Sequence, residues 1–131
     1  MNNLENEIRE YLVERGWDSL KPGDLAKSIS IESAEFLEIF QWDNPTLEEV
    51  KNDPERLERI RGELADIFLY ALDVSVLLGL DTETLIREKF EKVKKKYPAR
   101  TLSATERHIE PGSKEDVAYW EAKQRQRQSR L

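Results

Sequence analysis

The sequence predicts an all-α fold, a bundle of four to five helices. Three observations carry that prediction. Charged residues make up 37% of the 131-residue chain while glycine and proline number five each, apolar residues recur at helical spacing over several long segments, and start and stop signals bound those segments. A chain of this length buries about two thirds of its unfolded surface as one domain. With no cysteine, disulfides and thiolate metal sites are unavailable. A single histidine, His108, rules out a histidine-rich zinc site. Any metal must be held by oxygen, which points to Mg²⁺ or Mn²⁺. The N-terminal MNNLENEIREYL has no cationic start or continuous apolar run, and no stretch of about 18 apolar residues occurs. A cytoplasmic protein is expected, without secretion or membrane insertion.

The first helix is set by Leu4, Ile8, Tyr11 and Leu12, and Gly16 stops it before Trp17. The turn KPGD ends in Asp24, a good N-cap, so the second helix is expected over about 25–40, with Trp42 just past its end. Thr46 and Glu49 form a capping box for a short helix. Asp53 with Pro54 opens the longest helix, which runs to about Leu78 before Gly79. Asp81 starts a further helix that Pro98 closes. Residues 1–100 read as the folded domain, and 101–131 as a turn-rich connector followed by a polar terminal helix or tail.

Two of these helices put charge where a core should be. At about 100° per residue, Leu25, Ile29, Phe36, Ile39 and Phe40 share a stripe, with Glu32 in its middle and Glu35 at its edge. On the longest helix Ile60, Ile67, Tyr70, Val74 and Leu77 share a stripe that includes Glu63, with Asp66 at the same edge offset as Glu35. Leu64, Phe68 and Leu72 cover another side, so the second half of that helix is expected to be buried nearly all round. If the two helices pack together, four carboxylates converge. Uncompensated, each buried like charge would cost several kcal/mol or take up a proton. Divalent cations remove that cost. The alternative is that the acids are solvated or salt-bridged, as in a non-catalytic helical interaction module.

The segments SIESAEFLEIFQW and GELADIFLYAL together resemble the all-α nucleoside triphosphate pyrophosphohydrolases of the MazG-like group, nearest the small dCTP pyrophosphatase type. The likeness spans about residues 10–100. RGWDSLKPGDLA is similar to the family's Arg-x-Trp segment, and KFEKVKKKYP is similar to its basic terminator. The family pattern, an acidic pair three apart followed by Glu-x-x-Asp on the next long helix, is matched by Glu32, Glu35, Glu63 and Asp66. The resemblance implies that these four acids hold Mg²⁺, with Mn²⁺ as substitute, and that Glu35 is the catalytic base or a second-metal ligand. It implies hydrolysis of a nucleoside triphosphate to the monophosphate and pyrophosphate, on dCTP or a related or modified pyrimidine deoxynucleotide, in nucleotide-pool cleansing.

Other roles follow from the same resemblance. Trp17 and Trp42 become walls of a base pocket, although on the residues alone both read as core tryptophans at helix ends. Tyr70 becomes a phosphate contact, with an ordinary core tyrosine as the alternative. Lys89 and Lys92 become the groups that meet the departing phosphates, with a solvated basic face as the alternative. Two departures touch base preference. Val93 stands where relatives carry Asn, and the loop after Trp17 is one residue short, with Leu20 and Lys21 where the dCTP type has a histidine. A homodimer or homotetramer is expected, because one protomer has too few helices to cover both faces of the longest one. The net charge of −6 argues against nucleic acid as a partner, despite KVKKKYPAR at 92–100.

Overall fold

The computed structural model describes residues 3–98 and 114–128. Its regular elements are six helices, α1 (Asn3–Glu14), α2 (Pro22–Glu38), α3 (Leu47–Lys51), α4 (Pro54–Leu77), α5 (Thr82–Lys96) and α6 (Lys114–Gln128), with no strand among the described residues. The chain divides into two compact units, Met1–Thr82 and Glu83–Leu131. The expected boundary at residue 100 lies outside the described residues. None of the described helices is long and apolar enough to cross a membrane.

In the first unit α4 is the central element, packed most extensively against α2 and also against α1 and α3. Ile8 and Leu12 of α1 and Val76 of α4 form its buried cluster, with Leu72 and Leu77 against it. Two polar contacts from α1 finish this packing. The Arg9 guanidinium donates to the Val76 carbonyl at 2.7 Å, satisfying an oxygen near the end of α4. Buried Glu5 accepts from the Thr82 amide at 3.1 Å, the first amide of α5. Neither residue carries a periodic or turn signal in the sequence, since charges on a helix are ordinarily solvated.

The turns follow elementary capping chemistry. At the end of α1 the Gly16 amide donates to Val13 and the Trp17 amide to Leu12, and Gly16 takes φ +67°. Gly79 repeats the motif at φ +66°, with Leu80 donating to Ser75. Both are Schellman closures, which need the left-handed region that glycine enters without penalty. The Thr46–Glu49 capping box is present, and Asp53 caps α4 by accepting from the Arg56 amide at 3.0 Å. Arg56 also grips Asp43 through two nitrogens, at 3.1 and 2.9 Å, tying the connector after α2 to the start of α4.

Three expectations change. Helix α2 starts at Pro22, with Lys21 extended at the N-cap position and no side-chain cap, because proline's fixed φ suits the first helical position. Asp24 therefore lies in the first turn, paired with Lys27 at 3.0 Å. Helix α5 begins at Thr82 rather than at Asp81. Within the first unit the second half of α4 is not buried all round. Leu64 is 36%, Leu69 46% and Phe68 57% exposed, because the first unit places helices on only part of the α4 circumference.

Candidate metal centre

Packing of α2 on α4 brings the two acidic pairs together. Leu25 and Ile39 anchor the buried face of α2, and Phe36 and Phe40 meet edge to face at 5.5 Å on that side. Exposed Ser30 and Ser33 turn their hydroxyls onto carbonyls one turn back, at 3.1 and 2.7 Å, which satisfies them within the helix. Glu32 therefore sits half-buried between apolar turns. On α4, Glu63 is half-buried and Asp66 exposed.

Glu32, Glu63 and Asp66 each present an oxygen within 4.8 Å of the other two. Exposed Glu35 lies in hydrogen-bonding range of both Glu32 and Glu63. Glu32 is held above the usual carboxylate range, first by partial burial and then by the charges of Glu35, Asp66 and Glu63. Glu63 is raised by burial, then by Glu35 and Asp66, with Arg59 opposing weakly. Partial burial first, and the like charge of the neighbouring acids second, disfavour the ionised forms, a penalty that a divalent cation would relieve. The donor set is all oxygen, the chemistry that Mg²⁺ and Mn²⁺ prefer.

Beside the cluster lies an open cleft of about 510 Å³, within the usual size range for small-molecule sites. Asp66 borders both. Tyr70 and Asp73 continue the cleft along α4, and Trp17 and Tyr11 face it from α1 and its closing turn. The Gly16 turn brings Trp17 back against Tyr11, ring centroids 5.9 Å apart and edge to face. The Arg15 guanidinium lies over the Tyr11 ring, 3.7 Å from its centre. Tyr11 and Glu7 went unnoticed as cleft residues in the sequence. Their signal was the spacing of Tyr11 across Gly16 to Trp17.

Other candidates are placed differently. Trp42 is 89% exposed and borders a separate recess with Asp43, Arg56 and Arg59, so a single chain does not bring it to the cleft of Trp17. Lys89 and Lys92 are exposed on α5, in the second unit.

An all-α protein with a cluster of acids between two long helices is thus defined by its fold and site together. A family model for the MazG-like family matches residues 27–110, and the chain belongs to that family. Among solved structures, a pyrophosphatase from Archaeoglobus fulgidus is similar at 38% identity with a TM-score of 0.62. That match covers 72% of this chain and 89% of the other. No curated protein matches.

Proposed function

We propose that this MazG-like enzyme is a divalent-metal-dependent nucleotide pyrophosphohydrolase. It cleaves a (deoxy)nucleoside triphosphate to the monophosphate and pyrophosphate, with dCTP or a related or modified pyrimidine deoxynucleotide as substrate. Its role is nucleotide-pool cleansing in the cytoplasm. The observation that carries the reading is the continuity of the acid cluster with an aromatic-walled cleft through Asp66. The similarity to a pyrophosphatase supports the reaction class.

Glu32, Glu63 and Asp66 would hold Mg²⁺, which when bound supplies neutralisation of phosphate oxygens and acidification of water. A carboxylate oxygen of Glu35, exposed at the cluster rim, takes the proton from the attacking water. Trp17 stacks on the base, a contact that gives affinity with little selectivity. The Tyr70 hydroxyl donates to a phosphate oxygen.

The active form is a homodimer or homotetramer. Phe68 and Leu69 of α4 and Leu37 of α2, the last 67% exposed, support that assembly. The largely exposed Trp42 then acts on a site built partly at the interface. Incubation of the purified protein with standard and modified dNTPs, with products separated by anion exchange, tests the reaction. Monophosphate and pyrophosphate are expected. Diphosphate and orthophosphate would contradict the reading, and absence of both turnover and saturable Mg²⁺ binding would favour a non-catalytic interaction module.

A further inference from the structure

The cleft beside the acid cluster holds two carboxylates, Glu7 and Asp73, for which the proposed reaction has no use. Asp66, Tyr70 and Asp73 follow one another on one edge of α4, four and then three residues apart, so their side chains form a single row. All three line the cleft. Seven residues of helix set Asp73 about 10 Å beyond Asp66, on the scale of one nucleoside. With phosphates at the Asp66 end, Asp73 stands where a base would end.

Its surroundings make it an acceptor in waiting. Asp73 is partly buried, and that burial pushes its carboxyl above the ordinary range. Among the described residues it has no hydrogen-bond or ion-pair partner. Glu7, across the cleft, already accepts from Asn3. Among the described residues, no lysine, arginine, asparagine or glutamine lines the cleft. A carboxylate in such a place favours a ligand that donates, because an acceptor opposite it would leave both groups desolvated and unpaired.

We propose that Asp73 selects the base: its carboxylate accepts a hydrogen bond from an exocyclic amino group, so that cytosine is taken over uracil and thymine, which carry a carbonyl at the same position. The inference rests on the nucleotide reading of the cleft and adds a residue and a reason for its selectivity. Asp73 contacts the base and takes no part in the bond that breaks.

The test compares two substrates that differ at that one substituent. Hydrolysis of dCTP and dUTP, and calorimetric binding of dCMP and dUMP, are measured for the full chain and for Asp73→Ala and Asp73→Asn. A charged hydrogen bond at a half-open site corresponds to about tenfold or more. The wild-type protein should therefore favour cytosine by about tenfold in both measurements. Asp73→Ala should erase most of that ratio, through a loss on the cytosine compounds much larger than on the uracil ones. Asp73→Asn, which preserves shape, should lower the ratio as well, since a neutral acceptor is weaker. A wild-type protein without preference, one that binds neither monophosphate, or a ratio untouched by both substitutions would overturn the inference. Turnover with an Asp73-independent ratio would sink the inference and leave the enzyme reading intact. Asp73-dependent dCMP binding without turnover would do the reverse.

Discussion

Glu32 on α2 and Glu63 on α4 meet across a helix interface, their carboxylate oxygens within 4.8 Å and both held above the usual acid range. The two helices thus pack at the expense of partly burying and then crowding these acids, a cost that a cation would relieve. Stability without metal should be limited by this cluster.

The sign of that limit is checkable by pH. A carboxylate whose folded pKa is raised binds more protons folded than unfolded, so its penalty is absent below about pH 4.5 and grows as pH rises through the raised value. The double substitution Glu32→Gln with Glu63→Gln should raise Tm above that of the metal-free wild type at pH 7. The gap should close as pH falls towards 4.5. Calorimetric melting across this range gives the answer, and a variant less stable than wild type at pH 7 would point to a structural ion pair instead.

Metal should act on the same residues. At a free Mg²⁺ concentration about 100 times its Kd, binding to the native state contributes about 2.7 kcal/mol. Tm of the wild type should rise with Mg²⁺ or Mn²⁺ and fall back on chelation. In the double glutamine variant the rise should vanish.

Gly16 links backbone conformation to the cleft. A Cβ there would meet no atom within 4 Å, so Gly16→Ala is disfavoured by the left-handed φ of +67° alone, a cost of about 1–2 kcal/mol. Because this turn sets Trp17 against Tyr11, KM for the nucleotide should rise along with the loss in stability. Unfolding curves and steady-state kinetics on one preparation measure both. A destabilised variant with unchanged KM would detach Trp17 from binding.

Trp17→Ala should weaken nucleotide binding by about 1–3 kcal/mol, the range for one stacked base, with a smaller change in kcat. Titration of a substrate analogue into the variant, beside Trp42→Ala, shows which indole the base uses. Equal, negligible effects would remove stacking from the account.

The helices, their caps at Thr46, Asp53, Gly16 and Gly79, and the meeting of Glu32, Glu35, Glu63 and Asp66 were legible in the sequence, because each depends on spacing along one helix or on local turn chemistry. What was not legible depends on which helix lies beside which. Glu5 and Arg9 carry no periodic or turn signal, and their partners, the Thr82 amide and the Val76 carbonyl, are met only when α1 packs against the end of α4. Tyr11 and Glu7 became cleft residues by the same packing. The apolar pattern of Leu64 and Phe68 implied a covering that the first unit does not supply, since periodicity records that a face is apolar and not what covers it.

The central claim is that water attacks the α-phosphorus with Glu35 accepting its proton. Hydrolysis of dCTP in ¹⁸O-labelled water, followed by mass spectrometry of the products, tests it most directly. The account predicts label in the monophosphate and none in pyrophosphate, with Glu35→Gln lowering kcat far more than it weakens substrate binding. Label in pyrophosphate or in released orthophosphate, or a Glu35→Gln enzyme with near-normal kcat, would contradict it.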